Sequence, residues 1–319
     1  MSYADEVFRQ TCQQILDSGF SDDSLVVRPK WEDGTPAHTK KIFGVVNRYD
    51  LQREFPLMTL RRTYWKSALD EILWIWQKKS NKVNELNSHI WDQWADDKGT
   101  IGMAYGFQAG LMYPVKGVEL DKLRMLLPNR DIVSVKGNDS NRLIGNAKFS
   151  AIHNKDTGTI YMNQVDKALY DLTFNPASRR IIITTWNPMD STKMGLEPCA
   201  YSVTFNVTGN RLNAILNQRS QDMLTASNWN VVQYSFLLML FARTCGLVPG
   251  ELVHVIADCH IYDRHIPLVE DMISKSGYAV PKMQLNLDVR NFYDADMTSF
   301  TLDGDYNFHE FSKSIPVAI

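Results

Sequence analysis

WNVVQYSFLLMLFARTCG, residues 229–246, is apolar on most of its helical faces. A helix that is hydrophobic all round belongs in the interior of a protein or in a membrane. Its most apolar part, Phe236 to Ala242, is bounded by Gln233 and Arg243 and is too short to span a bilayer. The segment therefore reads as the central buried helix of a globular domain, closed by Gly246. What surrounds it decides the fold class. Short β-rich runs at Ala200–Val207, Arg211–Gln218 and Glu251–Asp258, with a β-branched run at Arg180–Trp186 (RIIITTW), supply strands. Val165, Ala168, Leu169 and Leu172 form a helical stripe that stops before Pro176. Trp65–Gln77 (WKSALDEILWIWQ) is a further helix, and it embeds the acidic pair Asp70 and Glu71 in apolar surroundings. Buried carboxylates need a reason.

Near the N-terminus, Val7, Phe8, Cys12, Ile15 and Leu16 recur at helical spacing until Gly19, which is expected to close that helix in the left-handed conformation. The pattern loosens between Gly110 and Asn163. Within it, Lys148–Met162 (KFSAIHNKDTGTIYM) predicts two short strands around an Asn-Lys-Asp-Thr-Gly turn. Strands and helices do not alternate as βαβ units, so the expected class is α+β. The length of 319 residues and 44% hydrophobic content suit one domain over 1–319, with a peripheral insertion at about 111–163.

The 34 basic and 36 acidic residues are dispersed and give a formal charge of -2, which is no footprint for a nucleic acid polymer but admits a small anionic ligand. Cys12, Cys199, Cys245 and Cys259 have no paired metal-type spacing, and the N-terminus lacks the basic-then-apolar build of a signal peptide. Free thiols in a reducing cytoplasm are the expectation, with no metal and no membrane.

Taken alone, Cys199 would read as a small buried hydrophobe. Arg219, near the end of a strand, would read as a surface arginine. A guanidinium in that place could also grip a phosphate in fork geometry and draw down a thiol's pKa. Many ordered segments decide between these readings. They include Phe55-Pro56-Leu57-Met58-Thr59, Glu71-Ile72-Leu73-Trp74, Ile90-Trp91-Asp92-Gln93-Trp94, Tyr105-Gly106 and Asn175-Pro176-Ala177-Ser178-Arg179-Arg180. Further along stand Trp186-Asn187-Pro188, Pro198-Cys199, Gln218-Arg219-Ser220-Gln221-Asp222, Asn230, Asp258-Cys259-His260-Ile261-Tyr262 and Pro316-Val317-Ala318-Ile319.

In this series and order the chain resembles the thymidylate synthase family along nearly its whole length. The resemblance implies a six-stranded mixed sheet with helices on one face and a homodimer formed sheet to sheet. It implies methylation of dUMP to dTMP, with 5,10-methylenetetrahydrofolate as one-carbon and hydride donor. It also implies a bacterial or phage-infected cell. Carbon 5 of uracil becomes nucleophilic enough only when a thiolate adds at carbon 6, so this chemistry requires a cysteine.

Cys199 matches the nucleophile and Arg219 its supporting guanidinium. Arg28, Arg219 and Ser220 match phosphate ligands of one subunit, and Arg179 and Arg180 match the pair that reaches across from the other. Asn230 matches the amide that reads the pyrimidine edge, and His260 and Tyr262 the pair on the deoxyribose hydroxyl. Gln218 and Asp222 are carried with the substrate contacts. Glu71 and Tyr105 match the proton-moving pair. Asp222 matches the aspartate that meets the pterin and joins the catalytic set. Tyr64, Ile90, Trp91, Trp94 and Ala318 match folate contacts.

Two departures stand beside these matches. Ala200 follows the cysteine where the family most often has histidine, and Ala226-Ser227-Asn228-Trp229 replaces its usual Gly-x-Pro-Phe. They leave open a dUMP hydroxymethylase of phage type, in which water replaces hydride, and a catalytically silent homologue that binds RNA or a partner protein. Asn230 argues against a dCMP hydroxymethylase, which characteristically carries aspartate there.

Overall fold

The computed structural model describes residues 1–137, 139, 149–311 and 314–318. Seven α-helices and twelve strands are present among them. In chain order these begin with α1 (Tyr3–Ser18), β1 (Phe20–Ser21), β2 (Thr39–Asp50), α2 (Trp65–Trp76) and α3 (Gly106–Gly110). Next come β3 (Met112–Val115), α4 (Leu120–Leu126), β4 (Asp131–Val135), β5 (Phe149–Asn154), β6 (Ile160–Asn163), α5 (Gln164–Phe174) and β7 (Ile182–Thr184). The chain continues through β8 (Ala200–Thr208), β9 (Arg211–Asp222), α6 (Trp229–Thr244), β10 (Val248–Tyr262), α7 (Ile266–Ser274), β11 (Lys282–Leu285) and β12 (Phe300–Asp303).

The principal sheet has six strands in the order β1-β2-β10-β9-β8-β7, all neighbours antiparallel except the parallel pair β9 and β10. This is the mixed sheet of an α+β fold. Along β9, Leu212, Ala214, Leu216 and Gln218 are buried and alternate with more accessible residues, so one face of the strand meets the core. Helix α6 covers that face. Val231, Val232, Phe236, Leu237, Leu238, Leu240 and Phe241 on it are all buried, as a helix without a polar face requires. It ends in a Schellman motif: Gly246 has φ +67°, Leu247 N–H donates to the Ala242 carbonyl at 2.8 Å, and Gly246 N–H to that of Arg243 at 3.4 Å. On the other face Phe43, Val46, Ile182 and Ile215 are exposed. Ile215 and Ile182 share one cross-strand row through Thr204.

Gly19 does not take the expected left-handed conformation. Its φ is -66° and ψ 146°, extended backbone. Glycine is needed there because a Cβ would lie 2.5 Å from the Ile15 carbonyl oxygen, which accepts the Gly19 N–H. Ser2 caps the other end of α1 by accepting from the Asp5 N–H.

Several strands differ in extent from expectation. β9 and β10 run on to Asp222 and Tyr262, because the parallel ladder continues through Ser220–Asp258, Gln221–Cys259 and Asp222–His260 although the side chains turn polar. The strand expected over Arg180–Trp186 is confined to Ile182–Thr184. β5 and β6 pair antiparallel around the turn at residues 155–159 as expected, while Lys148 lies outside the described residues. With β3 and β4 they form a separate four-stranded sheet in the order β3-β6-β5-β4, within the loosely patterned stretch. β2 was not anticipated.

Candidate active site

The register of the principal sheet gathers the reactive residues. Because β9 and β10 are parallel, their C-terminal ends lie at the same end of the sheet, and antiparallel β8 begins there. Cys199 immediately precedes β8, and its carbonyl accepts from the Arg219 N–H on β9 at 2.9 Å. Ser220 and Asp222 follow on β9, and His260 and Tyr262 come from β10. These residues line a cavity of about 590 Å³. α2 contributes Glu71 to its wall, α6 contributes Trp229, Asn230, Gln233 and Tyr234, and the chain terminus Val317 and Ala318.

Cys199 is partly accessible. Burial pushes its thiol above the ordinary value, and Arg219 pulls in the opposite direction. The net shift is upward, so the guanidinium only offsets desolvation here, against the expectation of a thiol drawn down. In this arrangement the Arg219 side chain is tied to the cysteine loop, with Nε donating to the Pro198 carbonyl at 3.1 Å and Nη2 to that of Glu197 at 2.8 Å. The Cys199 N–H donates to the Tyr105 hydroxyl at 3.0 Å. Tyr105 is buried and has φ +42°, a conformation that costs a non-glycine residue on the order of 1–3 kcal/mol and persists only when its surroundings fix it.

Glu71 is 5% exposed. The Trp91 indole N–H donates to its Oε1 at 2.9 Å and the Trp229 indole N–H to Oε2 at 2.6 Å. Burial raises its carboxyl to about 7, with the two indoles opposing the rise. A group at that pKa can both take up and release a proton near neutrality. Its neighbour Asp70 has a different part: its Oδ2 accepts from the Asn87 backbone at 2.9 Å and side chain at 3.1 Å. That accounts for the second buried carboxylate as a structural anchor.

Beyond Glu71 lies an aromatic shelf, with the Trp91 ring 5.3 Å from that of Trp94 and 5.1 Å from that of Tyr105. Ile90 and Ala318 line the same cavity. Asp222, also in the lining, accepts from the backbone N–H groups of Leu224 (2.8 Å) and Thr225 (3.2 Å) and from the Thr225 hydroxyl (2.5 Å). Burial would raise this carboxyl, but His265 and Thr225 hold it below the ordinary value, so it is an anion at neutral pH. His265 in turn donates from Nε2 to the Pro316 carbonyl at 2.8 Å, which seats the tail against the site. Ile319 lies outside the described residues.

On α6 the Asn230 Nδ2 donates to Gln233 Oε1 at 2.9 Å, one turn along. That leaves its carbonyl oxygen and one N–H for a ligand, an edge complementary to a ring N–H beside a carbonyl. His260 is oriented by Asp258, whose Oδ1 is 2.7 Å from its Nδ1, and stands edge-on to Tyr262 at 5.1 Å. Gln218 lines the cavity with its amide engaged inside the protein: its Nε2 donates to the Ser220 carbonyl at 2.9 Å and to Gln221, and its Oε1 is 2.8 Å from His254 Nε2. Arg28 lines the cavity.

Three residues of the expected set are not brought to the cavity within one chain. Tyr64 is 58% exposed, with Arg62 over its ring at 4.8 Å, and does not line it. Arg179 and Arg180 are exposed, in the loop before β7. Conversely, the residue pattern did not single out Trp229 or Gln233. Their only local signal is spacing: Gln233 falls three residues after Asn230, on the same helical face.

A family model described as Thymidylate synthase matches residues 6–319. The chain is 37% identical over 306 residues to a thymidylate synthase of Bacillus licheniformis, 95% of each chain being covered. It is 35% identical over 306 residues, again 95% of each, to thymidylate synthase 1 of Bacillus subtilis strain 168 and to a thymidylate synthase of Bacillus phage phi3T. Among solved structures it is similar to thermostable thymidylate synthase A from Bacillus subtilis, with a TM-score of 0.80, 34% identity and 99% coverage of both chains.

Proposed function

The chain belongs to the thymidylate synthase family and catalyses the reductive methylation of dUMP to dTMP with 5,10-methylenetetrahydrofolate, and we propose that it does so in the cavity at the end of the principal sheet, with Cys199 as nucleophile. The observation that carries this reading is the meeting of three groups in one cavity. They are a partly accessible thiol, an arginine on the neighbouring strand, and a buried carboxylate with a pKa of about 7.

The roles follow from the geometry. Arg28, Arg219 and Ser220 form the cationic and hydroxyl-bearing side, where a phosphate dianion would draw the Arg219 guanidinium from the 197–198 carbonyls into charge-assisted contacts. That dianion would place a second charge beside the thiol, so thiolate formation depends on how Arg219 divides itself between them. Asn230 presents a carbonyl and an N–H to the base, which suits uracil and disfavours cytosine. His260 and Tyr262 offer their polar edges to the deoxyribose. Glu71, with Tyr105, moves protons at the exocyclic oxygen and at carbon 5.

The cavity also fits the folate. Trp91, Trp94 and Ile90 give an apolar shelf for a flat ring, and Asp222, ionised and anchored by backbone donors, is suited to accept from pterin N–H groups. When bound, the folate supplies the one-carbon unit and the hydride. Trp91, Val317 and Ala318 keep water from the cavity while that happens.

A homodimer completes the site in this reading. The outer face of the principal sheet, with Phe43, Val46, Ile182 and Ile215, packs on its twin, and Arg179 and Arg180 reach the partner's phosphate position. Burial of an apolar sheet face, and arginines with no place in their own cavity, support it. The four-stranded sheet within 111–163 is an insertion at the periphery of the single 1–319 domain. No helix among the described residues is long and apolar enough to cross a membrane, and no cysteine is bonded to another among them. We place the enzyme in the cytoplasm of a bacterial or phage-infected cell.

The test is to incubate the protein with dUMP and 5,10-methylenetetrahydrofolate. It should yield dihydrofolate by absorbance and a methyl product by mass spectrometry. A hydroxymethyl product with tetrahydrofolate released would replace this reading with the hydroxymethylase one. No loss of tritium from 5-tritiated dUMP would remove both.

A further inference from the structure

Glu71 is held by two neutral donors that come from different segments of the cavity lining. Trp91 belongs to the aromatic shelf; Trp229 is the first residue of α6, 158 positions from Glu71 in the chain. Each carboxylate oxygen accepts one indole N–H, at 2.9 and 2.6 Å. The terminal torsion of a glutamate is otherwise broad. With one donor it can swing about that bond; with two on different oxygens from different directions it cannot turn without losing both. Each oxygen keeps one lone pair, and only those remain for a proton or a water.

Trp229 is itself fixed. The preceding residue, Asn228, has φ +70°, and its amide donates to the Pro56 carbonyl at 2.7 Å. Its carbonyl oxygen accepts from Met58 N–H at 3.1 Å and from the Thr63 hydroxyl at 3.0 Å. Three buried bonds thus pin the start of α6 to the chain ahead of α2. The indole is delivered to Glu71 by backbone held on both sides, in the stretch where the sequence departs from the pattern it otherwise follows.

We propose that Trp229 is a positioning residue for the reaction, its indole N–H holding the second oxygen of Glu71 so that the carboxyl keeps one orientation in the cavity and a fixed share of its proton affinity. This rests on the reading of Glu71 as the proton carrier. The other groups that bear on Glu71 are Asp70 on its own helix, Tyr105 ahead of α3, and Tyr234 and Gln233 on α6. Of these Asp70 raises the Glu71 pKa and the Gln233 amide lowers it. None of them donates to Oε2 in this arrangement, where the buried Gln233 Nε2 has no hydrogen-bond partner.

Trp229→Phe removes the N–H and keeps a flat ring. The Glu71 limb of the pH profile of kcat should then move upward by about one pH unit, the scale of one hydrogen bond to a charged group. The KM for dUMP should stay within about twofold, since Trp229 is not among the residues assigned to the phosphate or the base. A variant that is folded by circular dichroism and keeps the wild-type limb overturns the proposal.

A second measurement needs no substitution at Trp229. In the wild-type protein labelled with nitrogen-15, two of the eight tryptophan indole N–H resonances should follow one common titration. Both responses should vanish in Glu71→Gln. A single titrating indole overturns the proposal whether or not Trp229→Phe folds. If Glu71→Gln instead keeps full turnover while two indoles titrate, the contact stands and it is the catalytic reading of Glu71 that fails.

Discussion

Replacing Glu71 by glutamine separates the two things a buried carboxyl does. Its carboxyl is raised from the ordinary 4.5 to about 7, chiefly by burial, so the folded protein binds this proton more tightly than the unfolded chain does. Between those two values the folded state holds more proton than the unfolded one, and stability must therefore fall as pH rises through the window. Below 4.5 the group contributes nothing of this kind; above 7 its cost is fully present. At about 1.4 kcal/mol per unit, the cost is roughly 3 kcal/mol. Glutamine carries no such cost at any pH. It does place an NH₂ opposite one of the two indole donors, which leaves one buried N–H unsatisfied for about 1–3 kcal/mol, independent of pH. The expected outcome is a variant less stable than or equal to wild type at pH 5, gaining on it by roughly 2–3 kcal/mol by pH 8. Urea unfolding of both proteins at each pH and at one protein concentration would read the difference, since every other titrating group is common to the two. Turnover should fall by about 10²–10⁴-fold at all pH values, with dUMP still bound. Stability curves that run parallel from pH 5 to 8 would show that Glu71 does not titrate near 7 in the folded protein and would refute the reasoning.

Cys199→Ser should abolish turnover while leaving dUMP affinity within about tenfold, because oxygen is a far weaker nucleophile and the phosphate contacts remain; calorimetry and the dihydrofolate assay would check the two halves. An Arg179→Ala, Arg180→Ala double variant and a Cys199→Ala variant, each inactive, should regain activity when mixed, through heterodimers with one intact site. No rescue after exchange of subunits is confirmed would count against the borrowed arginines. Asn230→Asp should shift preference from dUMP toward dCMP, a lost or misplaced hydrogen bond in a buried site being worth about 1–3 kcal/mol, and competition kinetics between the two nucleotides would detect it. Unchanged discrimination would mean that another residue reads the base.

How much of this was legible in the chain depended on the range over which each signal acts. α6 announced itself because eleven of its sixteen residues are buried, from Val231 to Ala242 with one interruption at Met239, and a glycine ends them. The strands β9 and β10 were legible as far as Gln218 and Asp258 and illegible beyond, where Arg219-Ser220-Gln221-Asp222 and His260 bring polar side chains into the ladder. Those polar ends are where the cavity lies, so the periodic signal stops at the point where chemistry begins. β2 was missed for a related reason. Residues 39–50 (TKKIFGVVNRYD) carry charges at Lys40, Lys41 and Arg48, and Gly44, at φ +78°, interrupts the alternation of a strand whose one edge faces β10 along most of its length.

The site divides in the same way. Cys199, Arg219, Asn230 and the aromatic shelf were found through ordered motifs, and the cavity gathers them. Tyr64 was carried by position alone and stands outside, because nothing in its own side chain ties it inward; Arg62 holds it at the surface instead. Trp229 shows what no local pattern can encode. Its sequence context reads as the start of a buried helix, which is correct, and its indole N–H would then count only as a polar atom needing some partner. That the partner is Glu71 follows from the Asn228 turn, the packing of α2 against α6, and a separation of 158 residues. A buried carboxylate with no cation beside it is legible as a question from sequence alone. Its answer, two indoles on two oxygens, exists only once both helices are in place.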